Sequence, residues 1–305
     1  MKKICSILVI LLFYVSSSFA DCIGVVTAGG GQHFWEDVKK GAIQAGKDLN
    51  ISIYIRGAVD EANVQGQKYV IDKVIEQGCI GLVLAPNSKK RIKDIQQLKQ
   101  KGIPTVYIDR DIGGDRISVI KTNNFSAGEL AGKKMVQALK GKGKVAIFRL
   151  NKDVGTTTSR EKGFIAAVTK GGLKIVIDKY LGTRVGKARI ISQEILKNVS
   201  QIDGVFTPNE STSIAVLKTL EHLNKSEKII HIGFDSRVIM INALKSNQMH
   251  GFVVQDPFQI GYKGVYTIYQ ALQGKPIKNK IDTQVVFVNK KNLNNMHIKK
   301  ILGID

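Results

Sequence analysis

From residue 22 onward, short Val- and Ile-rich runs alternate with stretches whose apolar residues recur at helical spacing, and this rhythm runs through the chain twice. Runs at 22–27, 51–56, 82–85 and 105–109 predict strands, with helices predicted over 34–48, 63–77 and 89–101. The pattern restarts with strands predicted at 144–149, 173–180, 204–207, 229–234 and 251–255, and helices over 157–169, 187–199, 211–223 and 238–246. A helix over 258–272 and a strand over 283–288 complete the chain, and their pattern alone assigns them to neither half. The strands are near-continuous apolar runs, as expected where helices cover both faces of a parallel sheet. The helices are two-faced: Val70, Val74 and Ile75 oppose Lys68, Asp72 and Lys73. Gly46, Gly78 and Gly102 stand near helix ends, where a left-handed cap is wanted. The expected fold class is therefore α/β, with two doubly wound parallel-sheet lobes. No low-complexity linker separates them, which predicts several short crossings rather than a single tether.

The first twenty residues stand outside this rhythm. Lys2 and Lys3 precede an apolar run over 7–15, and Ser18-Phe19-Ala20 supplies small residues at the positions a signal peptidase reads. That layout predicts a secretory signal peptide over 1–20, cleaved after Ala20, and hence an exported, periplasmic protein. The run is short for a membrane span, and Asp21 before Cys22 is unsuited to lipid attachment. Removing 20 of the 305 residues leaves 285, a length that suits two lobes better than one core. Losing Lys2 and Lys3 takes the net charge from +21 to +19. The basic residues are scattered and mostly Lys, with nine Arg and no basic stripe interleaved with aromatics, so a nucleic-acid partner is not expected. Cys22 and Cys79 open similar strands; an oxidising compartment permits a disulfide between them, but directly paired strand positions often fit that geometry poorly. The sequence leaves the bridge open.

In open parallel sheets ligands bind beyond the carboxyl ends of the strands. The residues there are polar and aromatic in both halves: 29–35 with Gln32, Phe34 and Trp35; 109–111 with Asp109 and Arg110; 156–160 with Arg160; 208–210 with Asn209; 233–235 with Phe234 and Asp235; and 255–257 with Gln255. A carboxylate accepts from vicinal hydroxyls, a guanidinium donates in a fixed fork, and amides do both. An aromatic ring packs on the C–H face of a sugar. Asp109 and Asp235 balance Arg110 and Arg160, which predicts a near-neutral pocket and a neutral ligand. Taken singly, Asp109 or Asn209 also reads as a helix cap.

Other chemistries lack their residues. The glycines at 29–31 do not complete a dinucleotide fingerprint, since Phe34 stands at the third glycine's place. The chain has no phosphate loop, no CxxC and no Gly-x-Ser-x-Gly elbow, and its five His match no zinc spacing. Two cleft carboxylates could imitate a glycosidase pair, but with Arg beside them they read as permanently ionised acceptors. No catalytic residue, metal or cofactor is expected, and the chain is not expected to be an enzyme.

The order of these motifs resembles the periplasmic sugar-binding proteins of the ribose-binding type. The residues that carry the resemblance are Phe34-Trp35, Ile108-Asp109-Arg110-Asp111, Thr122-Asn123-Asn124, Ser159-Arg160-Glu161-Lys162-Gly163-Phe164, Asn209-Glu210, Gly233-Phe234-Asp235, and Gln255-Asp256-Pro257 with Gln259-Ile260-Gly261. The resemblance implies the periplasmic binding protein type I fold, with a three-segment hinge near Asn123, Gln255 and Asp282. It implies an N-terminal lobe of 21–122 plus 256–282 and a C-terminal lobe of 123–255 plus 283–305. Asp109, Arg110, Arg160, Asn209, Asp235 and Gln255 would hydrogen-bond sugar hydroxyls, with Gln32 adding a polar contact. Phe34 and Trp35 would stack on the ring, and Phe234 would close the far wall. The implied role is that of a monomer that captures a small neutral sugar or polyol by lobe closure and delivers it to an ABC permease in the inner membrane. The alternative is a periplasmic sensor that presents the bound sugar to a chemoreceptor or sensor kinase. A sugar-responsive repressor would carry a DNA-binding helix-turn-helix where the leader stands. Trp35, Ala85 and Gly182 depart from the ribose-binding pattern, which usually has a smaller Phe, an Asn and an aromatic there, so a hexose, an inositol or another polyol fits as well as ribose.

Overall fold

The computed structural model describes residues 22–30, 33–199 and 201–304. The predicted leader with its cleavage point, and Gln32, lie outside the described residues.

The first run comprises β1 (Cys22–Thr27), α1 (His33–Leu49), β2 (Ser52–Gly57), α2 (Val64–Glu76), β3 (Cys79–Leu84), α3 (Arg91–Gln100), β4 (Thr105–Ile108) and β5 (Ser118–Thr122). The second comprises α4 (Asn124–Ala138), β6 (Lys144–Arg149), α5 (Gly155–Lys170), β7 (Lys174–Tyr180), α6 (Val185–Lys197), β8 (Gly204–Phe206), α7 (Glu210–His222), β9 (Ile230–Phe234), α8 (Val238–Lys245) and β10 (Gly251–Gln255). The chain ends with α9 (Pro257–Leu272), β11 (Lys280–Thr283), β12 (Val285–Val288) and α10 (Met296–Leu302). Two six-stranded sheets result, in the orders β11-β5-β4-β3-β1-β2 and β12-β10-β9-β8-β6-β7. Every pairing is parallel except β10 with β12. The α/β class with two helix-covered parallel sheets is as expected. The strand expected at 283–288 is instead two strands, one in each sheet. β5, α4 and α10 had no counterpart in the sequence reading.

Helix α4 packs on α5, β9 and β10 in the second sheet, whereas α9 returns to α1, β3, β4 and β5 in the first. The chain thus passes between the sheets after β5, after β10 and after β11. All six residues of β1 are buried, while the edge strand β7 exposes Lys174, Asp178 and Lys179, charges that keep an edge from pairing with another chain. Cys22 and Cys79 are disulfide-bonded with their Cα atoms 4.4 Å apart. The β1–β3 register slips immediately after this pair, between Cys22 and Ile23.

Each half is also clamped by one helix pair that crosses on glycine. A Cβ at Gly41 of α1 would lie 1.9 Å from the Phe258 carbonyl oxygen, and one at Gly261 of α9 would lie 1.9 Å from that of Val38. In the second half a Cβ at Gly128 of α4 would lie 1.8 Å from the Arg160 carbonyl oxygen, and one at Gly163 of α5 would lie 2.0 Å from that of Phe125. These backbones approach as only glycine allows.

Candidate functional site

The two sheets end in the same local device. Asp109, directly after β4, and Asp235, directly after β9, both adopt left-handed backbone, with φ of 64° and 65°. Asp tolerates that region better than most residues, and non-glycine residues held there cluster at functional sites. Each is pinned by its own amide: Asp109 N–H donates to the Ile120 carbonyl at 2.9 Å, and Asp235 N–H to the Val253 carbonyl at 2.8 Å. The turn breaks the strand and presents a carboxylate beyond its carboxyl end.

Eight of the ten residues singled out in the sequence line a single cavity of about 440 Å³: Phe34, Trp35, Asp109, Arg110, Arg160, Asn209, Asp235 and Gln255. Asp109 and Arg110 come from the first sheet. Arg160 comes from α5, and Asn209, Asp235 and Gln255 follow or end β8, β9 and β10. Arg110 Nε donates to Asp109 Oδ2 at 3.0 Å, and its Nη2 is paired with Glu61. Across the cavity, Arg160 Nε donates to Asn124 Oδ1 at 2.8 Å and Nη1 to the Pro208 carbonyl at 3.0 Å. The same Nη1 lies 3.8 Å from Asp235 Oδ2. Asp235 is held in place by Gln255 Nε2 on Oδ1 at 2.8 Å and by the Glu210 N–H on Oδ2 at 3.2 Å. Oε1 of Gln255 is buried without a hydrogen-bond partner among the described residues.

Burial governs the electrostatics. It pushes the Asp109 carboxyl above the usual carboxylate range, against the pull of Arg110. It pulls the Arg160 guanidinium down, against Asp235 and Asp109. Glu210 is likewise raised by burial, against Arg237, whose Nε is 3.4 Å away.

Several residues play parts other than those expected. Trp35 lines the cavity but is only 1% exposed. Its indole N–H donates to Glu61 Oε1 at 2.9 Å, and the Arg110 guanidinium stands 5.9 Å from its ring centre. It braces the Glu61–Arg110 pair instead of offering a face for stacking. Phe234 is fully buried and lies under Arg160, with the guanidinium carbon 3.8 Å from its ring centre; it supports Arg160 rather than closing a wall. Asn209 caps α7, accepting from Thr212 N–H and Oγ1 at 3.3 and 2.7 Å, and its Nδ2 donates one hydrogen to Ser211 Oγ at 2.9 Å, so a single amide N–H is left for a ligand. That leaves Phe34, partly exposed on α1, as the aromatic face at the cavity.

The sequence reading passed over Glu61 and assigned no role to Asn124. Glu61 sits in the turn after β2, where the strand-end rule applied to that strand points directly at it. Its carboxylate corrects the expected charge balance: Asp60, Glu61, Asp109, Glu210 and Asp235 line the cavity against Arg110 and Arg160, with Arg237 pairing Glu210 from outside that lining. Among the described residues, no group of three or more His, Cys, Asp or Glu is placed to hold a metal ion. No helix among them is long and apolar enough to cross a membrane.

Two sheets that end in matched aspartates around one polar cleft define a two-lobed binding protein. The chain belongs to the periplasmic binding protein domain family, which it matches over residues 23–276. It is 24% identical to the ribose import binding protein of Haemophilus influenzae over 298 residues, covering 95% of this chain and 100% of that one. Among solved structures, it is similar to a carbohydrate transporter solute binding protein of Agrobacterium radiobacter in complex with D-arabinose (28% identity, TM-score 0.83, 94% of this chain and 100% of that one). It is also similar to an ABC transporter solute binding protein of Agrobacterium vitis with bound D-fucose (27% identity, TM-score 0.82, 92% and 99%).

Proposed function

We propose that this protein captures a small neutral sugar or polyol in the cleft and delivers it to an ABC permease in the inner membrane. The observation that carries the reading is the pairing of Asp109 and Arg110 from one sheet with Arg160, Asp235 and Gln255 from the other around a single cavity. Neither set encloses a ligand alone, so closure of the lobes assembles and desolvates the site. The lobes are 21–122 plus 256–282 and 123–255 plus 283–305, hinged where the chain passes between the sheets. Five carboxylates against two guanidiniums on the cavity wall favour a hydroxyl-rich neutral ligand over an anion. The sugar import and sugar complexes of the relatives support the same class. Asp109, Arg110, Arg160, Asp235 and Gln255 are the polar contacts, with the Asn209 amide, the Phe34 ring and Gln32. The protein works as a monomer, exported to the periplasm after cleavage behind Ala20, and binds without turnover.

The test is a thermal-shift and calorimetric screen of the mature protein against pentoses, hexoses and cyclitols. A ligand specific for the folded state raises the melting temperature and is recovered unchanged. Asp235→Ala should abolish the shift. A screen in which no sugar or polyol raises the melting temperature refutes the reading, as does full affinity in the Asp235 variant.

A further inference from the structure

The 440 Å³ central cavity adjoins a larger chamber of about 840 Å³, and Glu61, Asp109, Arg110, Val154, Thr156 and Thr183 line both. We propose that the ligand is longer than one sugar ring: one ring sits in the central cavity and a second, glycosidically linked polar unit occupies the chamber. This rests on the sugar reading above and narrows it to disaccharides and glycosides.

Three observations carry the proposal. First, the two spaces share a boundary rather than lying apart: Thr183, in the loop between β7 and α6, is among the residues that line both, and a Cβ at its neighbour Gly182 would meet nothing within 4 Å. Second, the chamber is lined as a sugar site is lined. Asn87, Ser88, Asp111, Asn123, Asp153 and Ser159 present amides, hydroxyls and carboxylates, and Lys89, Lys121 and Lys280 add ammonium donors. Asn87 is fixed by its own bonds, its N–H to Gln67 Oε1 at 2.9 Å and its Nδ2 to the Asn63 carbonyl at 3.0 Å. Its Oδ1 is buried and has no partner among the described residues. Third, the chamber draws on both halves of the fold. Asn87 and Ser88 follow β3 in the first sheet, whereas Asp153 and Ser159 belong to the second. A unit placed there is gripped by the same closure that grips the first ring.

A 460 Å³ cavity also adjoins the centre, sharing Phe34, Glu210, Asp235 and Gln255 with it, and its further lining mixes Ile214, Ile241, Ile301, Leu302 and Ile304 with His33, Asp37, Ser236 and Arg237. Hydroxyls set against its aliphatic part would lose water without gaining partners, so the more uniformly polar chamber is the better place for a second sugar.

The experiment is isothermal titration of the mature protein with monosaccharides (glucose, galactose, arabinose, fucose, allose, ribose) and with disaccharides and methyl glycosides built on them. At least one disaccharide is expected to bind ten-fold or more tightly than either of its component sugars. Ser159→Phe, which fills the chamber from α5, should remove that gain and leave the component monosaccharide within about two-fold. Asn87→Ser, a milder change, should cut disaccharide affinity several-fold with the same monosaccharide control. A monosaccharide that binds tightly while all its glycosides are excluded overturns the inference and leaves the sugar reading intact. So does a disaccharide gain that both variants preserve. A screen in which neither monosaccharides nor disaccharides bind overturns the sugar reading, and this inference with it.

Discussion

The glycine crossing between α4 and α5 ties the fold to the site, because α5 carries Arg160. In Gly128→Ala the new methyl would stand 1.8 Å from the Arg160 carbonyl oxygen, 2.6 Å from its carbonyl carbon and 2.8 Å from its Cα. Real Cβ contacts are not found below 3.0 Å, so the helices must separate by more than 1 Å at that point. The obstacle is backbone within a helix, and it has no rotamer to turn away. Overpacking of a well-packed interior costs about 1–3 kcal/mol, and this site belongs at the upper end. Against it stands about 1 kcal/mol gained by replacing glycine inside a helix. The net loss is about 2 kcal/mol, or roughly a 4–8 °C fall in melting temperature for a domain of this size. A second consequence follows from the same displacement. Arg160 is held by Asn124 at 2.8 Å and the Pro208 carbonyl at 3.0 Å, bonds that do not survive a shift of more than 1 Å intact. Ligand affinity should therefore fall at least ten-fold. Differential scanning calorimetry with and without ligand measures both effects. Gly186→Ala in α6 is the control: a Cβ there meets nothing within 4 Å, and the helix gain alone should leave it at or slightly above the parent. A Gly128→Ala protein that melts within 1 °C of the parent and binds ligand normally would refute the close-crossing account.

Two further outcomes follow from the buried and half-buried charges. Glu61→Gln keeps an acceptor for the Trp35 indole but removes the charge opposite Arg110. Both side chains are about a quarter to a third exposed, so the loss is screened to about 1 kcal/mol, roughly five-fold in affinity by calorimetry; unchanged affinity would mean that Asp109 alone orients Arg110. His231 is fully buried, with Nε2 3.0 Å from Thr207 Oγ1, and burial lowers its pKa from 6.5 to about 3. The unfolded chain takes up a proton below pH 6.5 that the folded one refuses, so this group's stability is present above 6.5 and is lost towards pH 3. The loss is about 1.4 kcal/mol per pH unit inside that window. Urea midpoints of the parent and of His231→Gln, measured between pH 7 and 4.5, should diverge accordingly; parallel curves would refute it.

What could be read from the sequence follows from which features are local. Strands buried on both faces declare themselves as Val/Ile/Leu runs, which is why the two-fold α/β rhythm was visible. The split between β11 and β12 was not, because Thr283, Gln284 and Val285 run on as one β-prone stretch. Only the destination of each strand, β5 in one sheet and β10 in the other, separates them. The missed helix α4 buries Ala127, Gly128, Ala131 and Gly132, small residues that give a weak hydrophobic signal but a close crossing. At the site, the strand-end rule brought out Asp109, Arg110, Asp235 and Gln255 because a backbone turn fixes where they point. The aromatic residues needed a finer rule. Successive side chains on a strand face opposite ways; Ile232 and Phe234 both join the core of the second half, and Asp235 turns the other way into the cavity. Applied to β9, that alternation assigns Phe234 to the core at once. Trp35 is different in kind: nothing local says that its indole will find Glu61, a residue 26 positions away. Its role depends on the loop after β2 folding back over α1. The charge balance of the pocket, and with it the preference among ligands, was therefore the part of the function least accessible without the three-dimensional structure.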